Sequence, residues 1–514
     1  MSGAGKVILV GAGPGAPDLI TVRGADALRH ADAVVYDALA ARSLLDLAPP
    51  EALRIDVGKR GHDEPTRTQE ETTALLLRLA AQGLTVVRLK GGDPYVFGRG
   101  GEEASACAAA GIPFEVVPGV SSIFGALAYA GIPITDRRHG ASFAVVTGHK
   151  DPTKVTRETR WDLLARSADT LLILMGMRNL AQIVDRLLEA GRNPATPSAI
   201  VMSGTLPAQR VVTAPLGDLV AAAEREGISA PAVVVVGDVV SLRDALAWYE
   251  RQPLFGRRVL VTRAPEQSGE LVAALARAGA EAVLAPLVRL APPADPSALD
   301  AALDRLADYD AIVFTSANAV RFTARRARER SAALAIGDAR VVCVGPATAQ
   351  AALDAGLPVH RAPPARYDAE AVLEQLLAAG GVRGKRFLVP RSDLARDVLP
   401  DGLRAAGAEV DAVVAYRNAP AEVDRDWLRG ELVAGRLDVL TFASPSAAQR
   451  FCALLDADAR DAAARCTVAA IGPVTARALA SAGLPAQVVA QSATAAGLVE
   501  ELALAVAARQ GDEA

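Results

Sequence analysis

Four glycine-containing loops in the first half of the chain could bring bare backbone close to a small ligand. Each follows an apolar run typical of a strand, and they read KGGDP (90–94), VPGVSS (117–122), LMGM (174–177) and MSGT (202–205). Ligands of open α/β sheets bind beyond the carboxyl ends of the strands, and glycine lets backbone groups approach them closely. Because one loop adds the carboxylate of Asp93, the set predicts a site for a neutral or cationic ligand with nucleoside-like edges.

A fifth loop imitates a dinucleotide-binding motif. VILVGAGPGAPDLITV (7–22) fits GxGxxA, and Asp37 closes the next strand where a ribose-binding acid would lie. Pro14 and Pro17 argue against this interpretation, because two prolines spaced by three are poorly placed at the start of a helix. The apolar helical pattern begins only near Thr21, so the sequence predicts a long open turn. A strand-to-helix turn without any ligand is the alternative.

Two charged residues lie at the ends of predicted strands. Asp37 ends the strand AVVYD and Lys59 follows IDVG, so both can face one cleft; a surface ion pair is the alternative. Several cationic or partly cationic residues lie in loops, and arginine matches carboxylates through two parallel hydrogen bonds. A solvated face would explain each of them taken singly: Arg60, His62, Arg99, Arg137, Arg138 and His139.

The second half of the chain repeats itself. RRVLVTRAPEQSGELVAALARAGAEA (257–282) matches KRFLVPRSDLARDVLPDGLRAAGAEV (385–410) at an offset of 128, and DAIVFTSANAV (310–320) matches DVLTFASPSAA at the same offset. VGPATAQAALDAGLP (344–358) matches IGPVTARALASAGLP at an offset of 127. Matched blocks in one order indicate a duplication. Proline-rich breaks between the blocks read as hinges, so we expect two similar α/β lobes around a ligand cleft.

Hydroxyl side chains recur at equivalent strand ends of this repeat. They are Thr315, Ser316, Thr348, Ser444 and Thr475. Hydroxyls and the amides of a helix N-terminus bind carboxylates well, whereas ordinary helix capping is the alternative for each residue. His360 is the only histidine after His149, which argues against a catalytic serine activated by a histidine.

Composition excludes several classes of protein. Among 514 residues the net charge is −4 and aromatic residues make up 4%, which argues against a nucleic-acid surface. The four cysteines form no CxxC pair, so neither a metal site nor a disulfide framework is expected. Apolar runs are too short for a membrane span or a signal peptide, and the expected location is the cytoplasm. A boundary is expected near residues 241–258, where a charged helix ends and the strand RVLVTR starts.

The motifs VGAGPGAPDLIT, VVYDAL, VGKRG, RLKGGDPYVFGRGGEE and VVPGVSS together resemble uroporphyrinogen-III C-methyltransferase over about residues 5–245. The resemblance implies a tetrapyrrole-methylase-type two-lobed α/β domain over 1–250, with S-adenosylmethionine as cofactor, a tetrapyrrole substrate and a homodimer. It implies Asp37 and Lys59 as acid/base groups and Arg60 and Arg99 on the substrate side. The implied cofactor pocket consists of Pro14, Gly91, Gly92, Asp93, Val96, Ser121, Ser122, Met175 and Gly204. The family often has Thr-Ala at 121–122 and Ile at 96, where backbone or apolar contacts make the change mild.

The second half resembles uroporphyrinogen-III synthase over about residues 257–508, most clearly in FASPSA…AAIGPVTARAL (442–479). The resemblance implies a two-lobed hinged α/β synthase domain over 256–510 with its active site between the lobes. One lobe would combine about 257–290 with 420–508, and the other would span about 294–416. Tyr416 aligns with a tyrosine implied to assist hydroxyl loss, a half-buried core tyrosine being the alternative. The five hydroxyl residues named above would contact substrate.

Together the resemblances predict a bifunctional enzyme. The C-terminal half would cyclise hydroxymethylbilane to uroporphyrinogen III, and the N-terminal half would methylate it at C2 and C7 to precorrin-2, for sirohaem or cobalamin. Neither nucleic acid nor a membrane is an expected partner. One alternative is a methyltransferase whose C-terminal half only binds tetrapyrroles or regulates. Another is a methylase of the same fold that acts on a later corrin intermediate or on RNA.

Overall fold

The computed structural model describes residues 5–58, 67–148, 159–331, 334–360 and 369–512. The chain forms two compact units. The first comprises residues 1–259 with 273–282 and 499–514, and the second comprises 260–272 with 283–498.

The first sheet is fully parallel, with the strand order β3-β2-β4-β1-β5. Its strands are β1 (Lys6–Gly11), β2 (Ala33–Tyr36), β3 (Leu53–Asp56), β4 (Thr85–Lys90) and β5 (Phe114–Val117). Its helices are α1 (Val22–Arg29), α2 (Gln69–Ala81), α3 (Gly100–Ala109) and α4 (Ser122–Tyr129). Both faces of β1 are buried: Val7 and Leu9 pack into one apolar cluster and Ile8 and Val10 into another. A strand covered on both faces reads as a continuous apolar run, as VILV does.

The long open turn predicted after β1 is confirmed. A short 3-10 helix spans Pro17–Leu19, and α1 starts only at Val22. Thr21 caps α1, because its side chain accepts a hydrogen bond of 3.1 Å from the amide of Gly24. The two prolines therefore lie before the helix rather than inside its first turn.

The second sheet is mixed, with the order β6-β7-β10-β8-β9. Its strands are β6 (Phe143–Thr147), β7 (Thr170–Leu174), β8 (Pro197–Met202), β9 (Arg210–Pro215) and β10 (Ala232–Val236), and its helices are α5 (Trp161–Ser167), α6 (Leu180–Glu189), α7 (Leu219–Arg225) and α8 (Arg243–Leu246). β10 runs antiparallel to both β7 and β8. The carboxyl ends of β7 and β8 therefore lie at the same edge.

The charged helix expected near residues 241–258 is interrupted. Only the four residues of α8 are α-helical, and a 3-10 turn follows at Tyr249–Arg251. The reason lies in tertiary contacts. The indole of Trp248 donates a hydrogen bond of 3.0 Å to Ala128 O, and Arg243 forms an ion pair with Glu250. These contacts hold the segment against the end of α4 in a path that a straight helix cannot follow.

The second half of the chain contains two further sheets, with the orders β12-β11-β18-β19-β20 and β13-β17-β16-β14-β15. The strands are β11 (Arg258–Val261), β12 (Glu281–Leu284), β13 (Val288–Ala291), β14 (Ala311–Phe314), β15 (Arg340–Cys343), β16 (Arg386–Ser392), β17 (Glu409–Pro420), β18 (Val439–Phe442), β19 (Thr467–Ala470) and β20 (Val488–Val489). The helices are α9 (Pro265–Arg277), α10 (Ser297–Asp304), α11 (Ala317–Glu329), α12 (Pro346–Asp354), α13 (Ala369–Ala378), α14 (Val398–Ala405), α15 (Arg425–Val433), α16 (Pro445–Leu454), α17 (Ala457–Arg465), α18 (Pro473–Ser481) and α19 (Ala495–Asp512).

The repeat in the sequence appears again as a repeat of strand order. The run β12-β11-β18-β19 of one sheet corresponds, strand by strand, to β17-β16-β14-β15 of the other. The two similar lobes predicted from the duplication are therefore present. β17 is longer than its counterpart because its last four residues pair with β13.

The four cysteines are buried and unpaired. In the described ranges no helix is long and apolar enough to cross a bilayer. Within the same ranges no three His, Cys, Asp or Glu side chains are grouped to hold a metal ion.

Candidate functional site

Three of the glycine loops meet at the carboxyl edge of the first sheet. The loops after β1 and β4 exchange two backbone hydrogen bonds, from Gly13 N to Gly92 O at 3.2 Å and from Gly92 N to Gly13 O at 2.7 Å. The loop after β5 touches both of them through Gly119. Strand order explains the meeting, because β1 lies between β4 and β5 in a parallel sheet. We call this edge, formed by the loops after β1, β4 and β5, the glycine edge. It presents backbone from three directions.

Side chains are excluded where these loops touch. A Cβ atom built on Gly119 would lie 2.2 Å from Gly92 O, and one built on Gly11 would lie 2.5 Å from the Cα of Gly119. Gly92 has a φ of +67°, a left-handed conformation that favours glycine. Its Cβ direction is open, with the Cα of Ser121 and the amide of Ser122 at 3.9 Å. This opening between Gly92 and the start of α4 is a place where a ligand could lie against backbone.

Asp93 holds two of the loops together. Its Oδ1 accepts a hydrogen bond of 2.8 Å from Tyr95 N, and its Oδ2 accepts one of 3.1 Å from Gly119 N. The carbonyl of Asp93 accepts from Val96 N at 3.3 Å. The carboxylate therefore fixes the shape of the glycine edge from within.

The second sheet contributes loops to the same neighbourhood. Thr205, after β8, accepts a buried hydrogen bond of 2.9 Å from Ala16 N. A Cβ on Gly204 would lie 2.3 Å from the Cβ of Ala126 in α4, and one on Gly125 would lie 2.5 Å from Pro14 Cγ. Pro14 and Gly204 thus both lie against α4, the helix that starts at Ser121 and Ser122. Gly91 follows β4 directly and lies against Leu39, whose Cβ would be 2.9 Å from an added Cβ.

Met175 follows β7 at the edge that also carries the loop after β8. Its φ is +53° and its side chain is 49% exposed. A bulky residue in the left-handed region is uncommon and marks a position worth attention. The exposed methionine could present an apolar surface to a ligand at this edge.

Asp37 belongs to a chain of charged side chains that runs into the first unit. Arg88 Nη2 lies 2.5 Å from Asp37 Oδ1, and Arg88 Nε lies 3.1 Å from Glu103 Oε1. Glu103 also accepts hydrogen bonds from Lys90 Nζ at 3.2 Å and from Gln69 Nε2 at 3.0 Å. Glu103 has no exposed surface, whereas Asp37 keeps 30% of its side chain exposed. The network thus extends from a buried carboxylate to one at the sheet edge.

The network changes the proton affinity of its cations in opposite directions. Burial opposes the charge of Arg88, but the carboxylates of Asp37 and Glu103 outweigh burial and raise its pKa. Burial, followed by the charge of Arg88, lowers the pKa of Lys90 despite the attraction of Glu103. Arg88 therefore remains a fixed cation beside Asp37.

Sequence reasoning did not identify Arg88, Lys90 or Glu103. One signal was available: Arg88 and Lys90 alternate with Leu89 in a central strand, so both cations point to one buried face. Buried cations need an acidic partner. That partner lies on α3 and could not be chosen from spacing alone.

Of the remaining predicted residues of this half, some lie outside the described ranges and the others lie in loops or turns. Lys59, Arg60 and His62 lie outside the described residues. Arg99 precedes α3 with a φ of +57° and forms an ion pair of 2.7 Å with Glu102, which leaves its side chain 44% exposed. His139 contacts Asp136 at 2.7 Å. This hydrogen bond, together with that of the Arg138 amide, lowers the pKa of Asp136 to about 2. Arg137, beside this turn, is exposed.

In the second half, two predicted hydroxyls are helix caps. Ser316 accepts a hydrogen bond of 3.1 Å from Ala319 N at the start of α11, and Ser444 accepts one of 3.2 Å from Ala447 N at the start of α16. Thr348 and Thr475 occupy the first turns of α12 and α18 and are buried. Thr315 ends the strand segment before Ser316 and is partly buried. Capping accounts for both serines.

Ser316 and Ser444 differ in their second partners, because Ser444 Oγ lies 3.2 Å from Ser446 Oγ, whereas Ser316 contacts a tyrosine. Ser316 Oγ lies 3.3 Å from the hydroxyl of Tyr416, and the Tyr416 ring stacks on Phe322 with centroids 5.5 Å apart. Only 7% of Tyr416 is exposed. The tyrosine is thus held by a serine at its hydroxyl and by a ring along its face.

Two family models match the chain in succession. The tetrapyrrole (corrin/porphyrin) methylases match residues 6–220, and uroporphyrinogen-III synthase HemD matches residues 269–500. The porphyrin biosynthesis protein HemD of Ruminiclostridium josui is 36% identical over 451 residues, which cover 87% of this chain and 88% of that protein. This chain belongs to the same family. It is a fusion of a methylase-type α/β domain and a HemD-like synthase-type α/β domain, as the resemblances predicted.

Other relatives match about half of this chain. Siroheme synthase of Azotobacter vinelandii is 50% identical over 247 residues, which cover 48% of this chain and 52% of that protein. The chain therefore spans about half the length of the siroheme synthases that it matches. A crystal structure of uroporphyrin-III C-methyltransferase from Thermus thermophilus, complexed with S-adenyl homocysteine, is 40% identical with a TM-score of 0.40, covering 46% of this chain and 100% of that one.

Proposed function

We propose that this protein catalyses two consecutive steps of tetrapyrrole biosynthesis. The C-terminal half closes hydroxymethylbilane to uroporphyrinogen III, and the N-terminal half methylates this product at C2 and C7 to give precorrin-2. The observation that carries the proposal is the match to a HemD protein across both halves, at 87% of the chain. Precorrin-2 would then serve sirohaem or cobalamin synthesis, and we expect a homodimer through the methylase half.

S-adenosylmethionine fits the glycine edge as cofactor. The close packing of Gly11 and Gly119 leaves an open space beside Gly92, and a relative of the methylase half was crystallised with S-adenyl homocysteine. The cofactor supplies a methyl group already activated on a sulfonium sulfur. The residues proposed to hold it are the backbone of Gly91 and Gly92, the loop shaped by Asp93, the start of α4 at Ser121 and Ser122, and, around these, Pro14, Val96, Met175 and Gly204.

The chain has to orient the substrate and accept a proton. Positioning two reactants at contact distance can supply roughly 7–11 kcal/mol of a barrier. Asp37 lies at the sheet edge with Oδ1 held by Arg88 and part of its side chain exposed. We assign it the removal of the proton from the methylated carbon, with Lys59 as its partner and with Arg60 and Arg99 on substrate carboxylates.

The synthase half must fold a flexible chain and suppress the easier closure without ring inversion. This is differential binding of one transition state over another. Tyr416 is assigned to the departing hydroxyl, since its own hydroxyl can donate a proton or a hydrogen bond there. Thr315, Ser316, Thr348, Ser444 and Thr475 are assigned to the substrate carboxylates.

A product assay tests both activities on the full chain. Hydroxymethylbilane is supplied with S-adenosylmethionine. The products are separated by chromatography and their masses are determined by mass spectrometry. We expect type III tetrapyrrole carrying two added methyl groups. Type I product alone would make the C-terminal half a binding or regulatory module. Preformed uroporphyrinogen III left unmethylated would refute the methylase assignment.

The two capping serines offer a matched test of Tyr416. Ser316→Ala and Ser444→Ala each remove one helix cap, which costs about 0.5–2 kcal/mol of unfolding free energy. Only Ser316→Ala also frees the tyrosine hydroxyl, so we expect a further several-fold loss of cyclisation rate from this variant, similar to that of Tyr416→Phe. Thermal unfolding and the rate of type III formation are measured side by side. Equal rates in the two alanine variants would show that Ser316 is a cap only.

A further inference from the structure

Arg263 lies at the end of the strand segment that begins with β11, two residues before α9. Its Nε lies 3.3 Å from the amide oxygen of Gln267. Among the described residues no carboxylate forms an ion pair with it, although Glu270 attracts it at longer range. Burial lowers the pKa of this guanidinium. Arg263 is partly buried. A partly buried cation whose only hydrogen-bond partner among the described residues is a neutral amide is unusual, because charges withdrawn from water are normally paired.

The internal repeat provides a second copy of this arginine. At the offset of 128, Arg263 corresponds to Arg391, which lies in β16. Arg391 is only 12% exposed and forms an ion pair with Asp397. Asp397 is the residue immediately before α14. A guanidinium, a carboxylate and a helix N-terminus thus meet in this copy, and both positive groups favour the anion.

The first copy keeps the cation and the helix, but among the described residues no carboxylate is paired with the arginine: Glu266 lies in the first turn of α9, and Glu270 attracts Arg263 only at longer range. The position of Asp397 corresponds to Gly269 at the same offset; Gly269 lies within the second turn of α9 and carries no side chain, and an added Cβ there would meet no atom within 4 Å. Arg263 therefore lies close to the N-terminus of α9, a region of partial positive charge, without an ion-pair partner among the described residues. Two positive groups side by side are unfavourable until an anion joins them.

The place of Arg263 in the sheet connects it with the predicted substrate residues. β11 pairs with β18 in the strand order, and Thr262 Oγ1 donates a hydrogen bond of 2.8 Å to Thr441 O. Ser444, the cap of α16, follows β18 by two residues. Arg263 and Ser444 thus leave the same edge of one sheet.

We propose that Arg263 binds a carboxylate of the linear tetrapyrrole, which takes the role that Asp397 plays beside Arg391. The proposal rests on the synthase function proposed above. The two lobes would then differ in a defined way. The lobe of β11 receives an anionic group of the substrate, whereas the corresponding place in the lobe of β16 is filled by the chain itself.

Arg263→Gln in the full chain tests the assignment, with Arg277→Gln as control. Arg277 is an exposed residue of the same helix α9, so both variants lose the same charge. We expect the KM for hydroxymethylbilane to rise about 10- to 100-fold in Arg263→Gln, the worth of a charged hydrogen bond, and to stay unchanged in Arg277→Gln. Arg263→Lys should recover part of the loss, because it keeps the charge but not the paired geometry.

The share of type I product should also rise in Arg263→Gln, since a loosely held substrate closes without inversion. Methylation of preformed uroporphyrinogen III should keep the wild-type rate. If Arg263→Gln does not fold, Arg263→Met is measured in its place, because methionine keeps the apolar stem of the side chain. An active wild type with equal KM values for the two glutamine variants would overturn the inference alone. A wild type that forms no type III product would overturn the synthase assignment, and the inference with it.

Discussion

Asp37→Asn should lower the rate of methyl transfer by about 10²- to 10⁴-fold, the usual contribution of a positioned acid or base. The carboxylate lies at the sheet edge and forms an ion pair with Arg88, 2.5 Å away. Asparagine keeps the shape of the side chain but cannot accept the proton. Affinity for S-adenosylmethionine should stay within a factor of two, because the loops around Gly92 are shaped by Asp93 and not by Asp37. Calorimetry of cofactor binding and single-turnover methylation measure the two effects separately.

Asp26→Asn is the control for this variant. Asp26 lies on α1 with 65% of its side chain exposed and contacts only His30 among the described ion pairs. We expect neither activity nor cofactor affinity to change in it. A parallel loss of cofactor binding in Asp37→Asn would mean that the residue supports the fold of the edge. Wild-type turnover in Asp37→Asn would show that Asp37 has no acid/base role and that its ion pair with Arg88 is only structural.

Gly119→Ala should abolish most cofactor binding. The new Cβ would lie 2.2 Å from Gly92 O and 2.7 Å from the Cα of Gly11, and both neighbours are backbone that cannot rotate away. Overpacking of this kind costs about 1–3 kcal/mol of unfolding free energy. Since the loops must separate to make room, we expect S-adenosylmethionine affinity to fall more than 10-fold. Titration calorimetry and thermal unfolding on the full chain record both quantities.

Gly101→Ala makes the same chemical change at a harmless place. Gly101 lies in the first turn of α3, and its added Cβ would meet no atom within 4 Å. Alanine is favoured over glycine in a helix by roughly 0.5–1 kcal/mol, so this variant should be slightly more stable and bind normally. Should Gly119→Ala bind the cofactor as tightly as Gly101→Ala does, the contact of the three loops has no part in binding.

The glycine edge could be predicted from sequence because its signals are local. Strand, glycine and proline follow one another within a few residues in GGDP and VPGVSS, and the parallel order of β4, β1 and β5 then brings the loops together. The long turn before Thr21 was predictable for the same reason, through the placing of two prolines. The repeat at an offset of 128 likewise fixed which strands and helices of the second half correspond.

The partners of Asp37 could not be predicted in this way. Arg88 and Lys90 showed that β4 carries cations on a buried face, but Glu103 lies on a helix whose rotation depends on the packing of Ala104 and Cys107. The interrupted helix at residues 243–251 failed for a similar reason. Its path is decided by Trp248 and Arg243 reaching to the end of α4, which is distant in sequence.

The buried network also limits how this part of the chain can evolve. Arg88 and Lys90 carry two positive charges, and Asp37 and Glu103 carry two negative ones, so the group is neutral as a whole. Removing one member of a buried ion pair typically costs 3–5 kcal/mol, a large part of the 5–15 kcal/mol that holds most domains together. Single replacements at these positions would therefore be eliminated by selection before a compensating one arises. Substitutions at positions 88, 90 and 103 in related chains should therefore occur in pairs. The role proposed for Asp37 in the reaction thus constrains the evolution of three further residues.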